Sequence, residues 1–155
     1  MGLGKTIQAI SLILTHPHPR YPPGSSYTAL SPKSKSAADE IPHNIGRGTL
    51  VIAPLALIKQ WEREIADRVE DSHKLRVCVH HGPNRAKDPR DLKRFDVVIT
   101  TYETIRSEHG QSKLTEDSGG DIDAVGCFGI RWWRIICDEA HTIKNRLHEV
   151  VTLGR

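Results

Sequence analysis

Two short polar segments, far apart in the chain, carry residue types that together could bind and hydrolyse a nucleoside triphosphate. The first reads Gly2-Leu3-Gly4-Lys5-Thr6 and matches the last part of G-x-x-x-x-G-K-[S/T], a loop whose backbone N–H groups wrap phosphate oxygens at a helix start. In such a loop Lys5 supplies a positive charge to the β- and γ-phosphates, and the Thr6 hydroxyl is a magnesium ligand. The match is partial, because Met1 occupies only the third position of the pattern. Taken alone, the segment is also compatible with an ordinary helix start.

The second segment is the acidic tetrapeptide Asp138-Glu139-Ala140-His141, which directly follows an apolar run at 133–137. Asp138 is predicted to hold magnesium, and Glu139 to orient and deprotonate an attacking water. The alternative for such an Asp-Glu pair is a solvated loop. We favour the functional interpretation, because carboxylates beside a buried strand lose hydration unless they have a partner.

Four apolar runs, at 49–53, 75–80, 96–100 and 133–137, predict the strands of a sheet. They are apolar throughout rather than alternating, and helical patterns occur between them, which predicts a parallel sheet covered on both faces. The fold class is therefore α/β. Ligands bind such sheets at the carboxyl ends of the strands, where both polar segments are expected. Trp61 lies in the apolar stripe of an amphipathic helix and is predicted to be core.

Two segments interrupt this order, and we predict that both are disordered surface insertions. The segment at about 16–48 contains six of the nine prolines and five serines, and the segment at about 108–126 is polar and acidic with four glycines. Neither offers enough apolar surface to offset the entropy of ordering the chain.

Composition excludes several classes of protein. The 155 residues include 22 Lys and Arg against 19 Asp and Glu, a net charge of +3, so any nucleic-acid contact must be local. No apolar run approaches the roughly 18 residues of a membrane span, which excludes a transmembrane protein. Three cysteines without a C-x-x-C pair favour a reducing, intracellular compartment. For Cys78, His80 and His81 a structural role is favoured over a metal site, because no second cluster has ligand spacing.

Four segments together resemble a known family. They read M-G-L-G-K-T-I-Q-A-I-S-L-I-L, T-L-V-I-A-P-L-A-L-I-K-Q-W-E-R-E-I, D-V-V-I-T-T-Y-E-T-I and W-R-I-I-C-D-E-A-H-T-I-K-N. In this order they are similar to motif I, motif Ia, the T-T-Y segment and motif II of the SWI/SNF-related helicase-like ATPases. The last segment is most similar to the DNA-repair branch that includes helicase-like transcription factor.

The resemblance implies that residues 1–155 are part of the first RecA-like, ATP-binding lobe of a DNA-dependent ATPase and translocase. Such proteins act in chromatin remodelling or DNA repair in the nucleus. The implied cofactors are ATP and Mg²⁺, and the implied partners are double-stranded DNA, nucleosomes and a second helicase lobe. The residues assigned to ATP and its metal are Gly2, Leu3, Gly4, Lys5, Thr6, Asp138 and Glu139.

The resemblance also assigns residues to DNA and to coupling. Pro54, Thr100, Thr101 and Tyr102 are expected to meet the DNA phosphate backbone without reading sequence. His141 is expected to link the nucleotide site to the DNA-facing segments. The alternatives are strand-end capping for the two threonines and a packed core histidine for His141.

Compared with the family pattern, the chain lacks the strand before Met1, the later L-T-G-T-P segment and the second lobe. We therefore expect the isolated chain to hydrolyse ATP feebly, since an arginine of the type that the second lobe supplies accounts for roughly 10³–10⁵ in turnover. The alternative function is a noncatalytic fragment that acts at most as an interaction module. A P-loop kinase or GTPase is disfavoured, because the DEAH sequence follows a strand directly.

Overall fold

One parallel sheet organises the molecule. The computed structural model describes residues 3–19, 46–116 and 124–142. Within them the strands are β1 (Thr49–Ile52), β2 (Val77–His80), β3 (Val97–Thr100) and β4 (Arg134–Cys137), in the order β2-β3-β1-β4 with every pair parallel. The helices are α1 (Leu3–Thr15), α2 (Ile58–Arg68), α3 (Pro89–Leu92) and α4 (Tyr102–Glu116). The prediction of an α/β fold with a parallel sheet flanked by helices is confirmed.

Both faces of the central strands β1 and β3 are covered, as their apolar residues predict, whereas Ile135 of β4 is 55% exposed. Val51, Val97 and Ile99 pack on one face in a core that includes side chains of α1 and α2. The alternate residues of the same strands, such as Leu50 and Val98, pack on the other face in a core that includes side chains of α3 and α4. Because successive strand residues point to opposite faces, a sheet buried on both sides needs apolar residues at every position.

The four strands end level with one another. Ile52 of β1 is in register with Thr100 of β3 and with Cys137 of β4, and His80 of β2 is in register with Thr100. The residues that follow these four positions therefore begin their loops along one line, which we call the carboxyl edge. Asp138 lies on this line, next to β1.

Contacts at the opposite edge orient α1. The carbonyl oxygen of His16, just after α1, accepts hydrogen bonds from Arg134 Nη2 at 2.6 Å and from Trp133 Nε1 at 3.4 Å. These contacts place the end of α1 beside the beginning of β4. Because a helix of 13 residues is about 20 Å long and Ile10 and Ile13 pack in the core of the sheet, the first turn of α1 extends toward the carboxyl edge.

The predicted second insertion needs a correction. Residues 108–116 form the last part of α4, Glu108 is fully buried, and Gly126 is buried against it, so the prediction of a disordered insertion at 108–126 is wrong for its described parts, 108–116 and 124–126. Glu108 is buried because it is held by partners distant in sequence. Residues 117–123, and residues 20–45 of the predicted first insertion, lie outside the described residues. Among the described helices, none has the length and apolar character needed to cross a membrane.

Candidate nucleotide-binding site

Three elements converge on Asp138 at the carboxyl edge. Its backbone N–H donates to the Ile52 carbonyl at 2.8 Å, which extends the ladder between β4 and β1 by one bond. The indole N–H of Trp61, from α2, donates to Asp138 Oδ2 at 2.8 Å. The hydroxyl of Tyr102, at the start of α4, donates to the Asp138 carbonyl oxygen at 2.7 Å. Asp138 is thus fixed in both its backbone and its carboxylate.

Glu139 adopts a strained backbone. Its φ of 52° makes it the one non-glycine residue with positive φ in the part of the chain that the structure describes. A side chain in this left-handed region costs about 1–2 kcal/mol, and such strain is found frequently at active sites. The carboxylate lies 3.1 Å from His141 Nε2, and the His141 side chain is 75% exposed. The alternative of a packed core histidine is therefore wrong.

The phosphate-loop residues lie in the first turn of α1. Lys5 is exposed, whereas Thr6 is buried at 5% exposure. A Cβ added to Gly4 would meet no atom within 4 Å, so the space beside this turn is open. Met1 and Gly2 lie outside the described residues, as does the side chain of Leu3. The free N–H groups and positive dipole end of a helix start are suited to an anion.

Asp138 places at the carboxyl edge a donor that suits magnesium. Mg²⁺ takes oxygen ligands, and it is commonly held by one or two carboxylates together with substrate phosphates. Trp61 donates to Asp138 Oδ2. Among the described residues, none forms a hydrogen bond with the other carboxylate oxygen, Oδ1. Asp138 and Thr6 are thus a carboxylate and a hydroxyl of the type this ion requires.

The residues predicted to meet DNA lie along the same edge, but their polar groups already form hydrogen bonds within the protein. Thr100 is fully buried and donates to the His80 carbonyl at 2.8 Å. Thr101 is fully buried and accepts from the Thr104 N–H at 3.1 Å, which caps the start of α4. The capping alternative describes the Thr101 contact, and DNA binding by Thr100 and Thr101 stays a prediction.

Pro54 and Tyr102 complete that set. Pro54 is half-buried, and its carbonyl oxygen accepts a hydrogen bond from the Leu57 N–H at 2.9 Å. The adjoining Leu55 is 57% exposed. Burial, followed by the neighbouring acidic groups, raises the pKa of Tyr102, which therefore stays a hydrogen-bond donor to Asp138 at neutral pH.

A second carboxylate site, which the sequence did not reveal, lies beneath the loop after β2. We call it the Glu108 cluster, and it consists of His80, Arg85, Glu108 and Cys127. His80 Nε2 lies 2.6 Å from Glu108 Oε1, which also accepts from Arg85 Nε at 3.2 Å, and the Cys127 N–H donates to Oε2 at 2.9 Å. Burial alone would raise the pKa of Glu108, but these hydrogen bonds outweigh it and hold the pKa below its usual value.

The Glu108 cluster has the residue types of a metal site, since one ligand atom each from His80, Glu108 and Cys127 lie within 4.8 Å of one another. Two features favour a purely structural role. The Arg85 guanidinium already supplies a positive charge to the carboxylate. Burial also raises the pKa of the Cys127 thiol well above its usual value, which disfavours the thiolate that binds metals. The signal available in the sequence was limited to a histidine pair at the end of a strand.

Comparison with known proteins identifies the family. The model of the SNF2-related domain matches residues 1–152, nearly the whole chain, and the chain belongs to this family. The resemblance to SWI/SNF-related helicase-like ATPases, including their DNA-repair branch, is thus confirmed.

Several curated proteins are similar to the chain. An uncharacterized ATP-dependent helicase of Schizosaccharomyces pombe is 35% identical, over 94% of this chain and 12% of its own length. DNA repair protein RAD5A of Arabidopsis thaliana is 34% identical, over 97% of this chain and 16% of its own length. Transcription termination factor 2 of Drosophila melanogaster is 43% identical, over 63% of this chain and 8% of its own length. The chain therefore spans a small part of the proteins that it resembles.

Proposed function

We propose that the chain is the ATP-binding lobe of a DNA-dependent ATPase that translocates on double-stranded DNA, in chromatin remodelling or DNA repair in the nucleus. The observation that carries this proposal is the Asp138–Glu139 pair, fixed at the carboxyl edge of a parallel sheet in a chain that the SNF2-related domain matches. The repair and helicase names of relatives support the choice of process.

The proposed chemistry assigns one task to each residue. The first turn of α1 binds the triphosphate, with Lys5 supplying a charge to the β- and γ-phosphates. Asp138 and Thr6 would hold Mg²⁺, and the bound ion would supply positive charge to the phosphate groups. Glu139 orients the attacking water and accepts its proton. His141, paired with Glu139 and otherwise exposed, is placed to respond to contacts made outside the nucleotide site.

We place the DNA-facing surface on the loops after β1 and β3. Pro54 lies on the first of these. At the second, Thr100 is the last residue of β3, Thr101 connects it to α4, and Tyr102 is the first residue of α4. Because both threonine hydroxyls are held inside the protein, their direct use on DNA phosphates would require them to leave their present partners. Backbone contacts to phosphates are independent of base sequence, as translocation requires.

Two substitutions in the full-length protein test the proposal. We expect Lys5→Ala to abolish DNA-stimulated ATP turnover by weakening nucleotide binding. We expect Glu139→Gln to lower turnover by about 10²–10⁴ while nucleotide stays bound, because the loss is confined to proton transfer. Steady-state ATPase assays and nucleotide-binding titrations separate the two effects.

Glu62→Gln is the matched control, because Glu62 is an exposed acid on α2 whose partner is Lys59. This variant should hydrolyse ATP like the wild type. Unchanged turnover in either Lys5→Ala or Glu139→Gln would contradict the role assigned to that residue.

The isolated chain is proposed to be nearly inactive, since by its family resemblance an arginine of the second lobe completes the ATP site. Assays of the 155-residue chain beside the full-length protein test this point. DNA-stimulated turnover near the full-length rate would contradict it. If the full-length protein also fails to hydrolyse ATP, the alternative of a noncatalytic interaction module is favoured.

A further inference from the structure

The three tryptophans of the chain donate their indole N–H groups to three different acceptors. Trp132 donates to the Cys127 carbonyl at 3.0 Å, and Trp133 donates to the His16 carbonyl at 3.4 Å. Trp61 alone among them donates to a carboxylate, Asp138 Oδ2 at 2.8 Å. The two residues are 77 positions apart, and Trp61 is 3% exposed, so the bond spans two elements of the core.

We propose that Trp61 is a positioning residue for the divalent cation of the nucleotide site. By holding Oδ2, its indole N–H sets the rotation of the Asp138 carboxylate and leaves Oδ1 as the oxygen that faces the ion. This inference rests on the proposed function, because it assigns the cation to Asp138.

The packing explains why the position of Trp61 is well determined. Its ring lies in the core formed by α1, α2 and the sheet, where it packs with residues such as Ile10, Ile13 and Val51. A ring enclosed on all sides has little rotational freedom, so its N–H direction is set by the fold. The orientation of a metal-binding carboxylate by a neighbouring donor affects ion affinity by about 10- to 100-fold.

The Tyr102 contact completes the arrangement. Its hydroxyl holds the Asp138 carbonyl, one peptide bond before the strained Glu139. Tyr102 therefore fixes the backbone and Trp61 fixes the side chain. Removal of the indole N–H should affect the carboxylate without altering the path of the loop.

The test measures the Mg²⁺ concentration that gives half-maximal ATP binding to the full-length protein, together with ATP affinity in EDTA. Trp61→Phe keeps an aromatic ring and removes the N–H. We expect it to raise the required Mg²⁺ concentration about 10-fold while ATP affinity in EDTA stays unchanged. Trp61→His, which can restore an N–H donor, should recover part of the loss. Trp132→Phe removes an indole N–H that serves a backbone carbonyl, and it should not change the Mg²⁺ requirement.

The outcomes separate this inference from the proposed function. If Trp61→Phe has the wild-type Mg²⁺ requirement while Lys5→Ala loses ATP binding, the inference is overturned and the proposed function stands. If Trp61→Phe weakens ATP binding equally in EDTA, its role is general packing and the inference is again overturned. If Trp61→Phe does not fold, Trp61→Leu, which also lacks an N–H donor, takes its place, and a wild-type Mg²⁺ requirement in that variant, or its failure to fold, has the same consequence. If the wild type binds no ATP, both proposals fail.

Discussion

Glu108 and Asp138 are both acidic residues held by groups distant in sequence, but their surroundings differ in one respect. The Glu108 carboxylate is fully buried and accepts hydrogen bonds from His80, Arg85 and the Cys127 backbone. The Asp138 carboxylate accepts one bond, from Trp61, and it is followed by the strained and partly exposed Glu139. Each oxygen of the Glu108 carboxylate has a donor, whereas only Oδ2 of the Asp138 carboxylate has a donor among the described residues.

This difference between the two carboxylates indicates which of them can bind an ion or a substrate. A buried carboxylate with a donor on each oxygen contributes to the stability of the fold, because breaking such a group of contacts leaves charges without partners. A carboxylate with an oxygen left over can bind an ion or a water. Substitutions should therefore change stability at the Glu108 cluster and activity at the acidic pair.

The largest effect on stability is expected for Glu108→Ala. Loss of the carboxylate leaves Arg85, His80 and the Cys127 N–H without their acceptor, so the free energy of unfolding should fall by about 3–5 kcal/mol. Urea unfolding of the 155-residue chain, followed by circular dichroism, measures the change. Glu62→Ala removes an exposed carboxylate and should cost less than about 1 kcal/mol. Equal losses for the two variants would show that the buried contacts of Glu108 add no stability.

The next largest effect is expected for Gly126→Ala. Gly126 has a φ of +59°, and an added Cβ would overlap the Glu108 carboxylate. The substitution should destabilise the protein by at least about 2 kcal/mol, since it combines backbone strain with disruption of a buried ion pair. Gly110→Ala in α4 is the control, because its Cβ meets no atom within 4 Å. It should stabilise the helix by about 0.5–1 kcal/mol. A neutral Gly126→Ala would show that the cluster tolerates movement.

A smaller effect of opposite sign is expected for Glu139→Gly. Relief of the left-handed strain is worth about 1–2 kcal/mol, and the greater flexibility of glycine in the unfolded chain offsets part of it. The net gain in unfolding free energy should be about 0.5–1 kcal/mol, with turnover of the full-length protein lost. A destabilised variant would show that the Glu139 side chain stabilises the fold, and the acidic pair would then affect stability as well as activity.

The smallest effect concerns acid pH. The hydrogen bonds to Glu108 hold its folded pKa below the ordinary value of 4.5, so its contribution is complete above that pH. Stability should then fall as the pH decreases below about 4.5 through the folded pKa, because the unfolded state binds the proton first. Urea unfolding at a series of pH values should show a shallower acid decline for Glu108→Gln than for the wild type. If the free energy of unfolding falls equally with pH in the two proteins, Glu108 is not the cause of the acid sensitivity.

The sequence predicted the sheet well, because the signal for a strand buried on both faces is local. The runs around Leu50 and Val98 are apolar at consecutive positions, which few structures other than such strands require. The level ends of the strands could not be read in this way, since register depends on pairing between distant segments.

The prediction for residues 108–116 failed for a related reason. The buried side of α4 includes Thr104, Ile105 and Glu108, so a pattern based on apolar residues shows little of it. Glu108 is buried because partners from β2 and from residues 126–127 surround it, and these contacts are invisible in the local sequence. Trp61 was predicted correctly as core, but its bond to Asp138 depends on the assembled fold.

The level strand ends also determine which genetic changes the chain can tolerate. Loss of one codon within β4 would pull the following loop back by about 3.3 Å and turn each displaced side chain to the opposite face. Asp138 would then lie at the position of Cys137, on the side of the sheet away from Trp61. Length changes in this strand should therefore be more harmful than most single substitutions, whereas the loops that leave the same row can vary in length independently of one another.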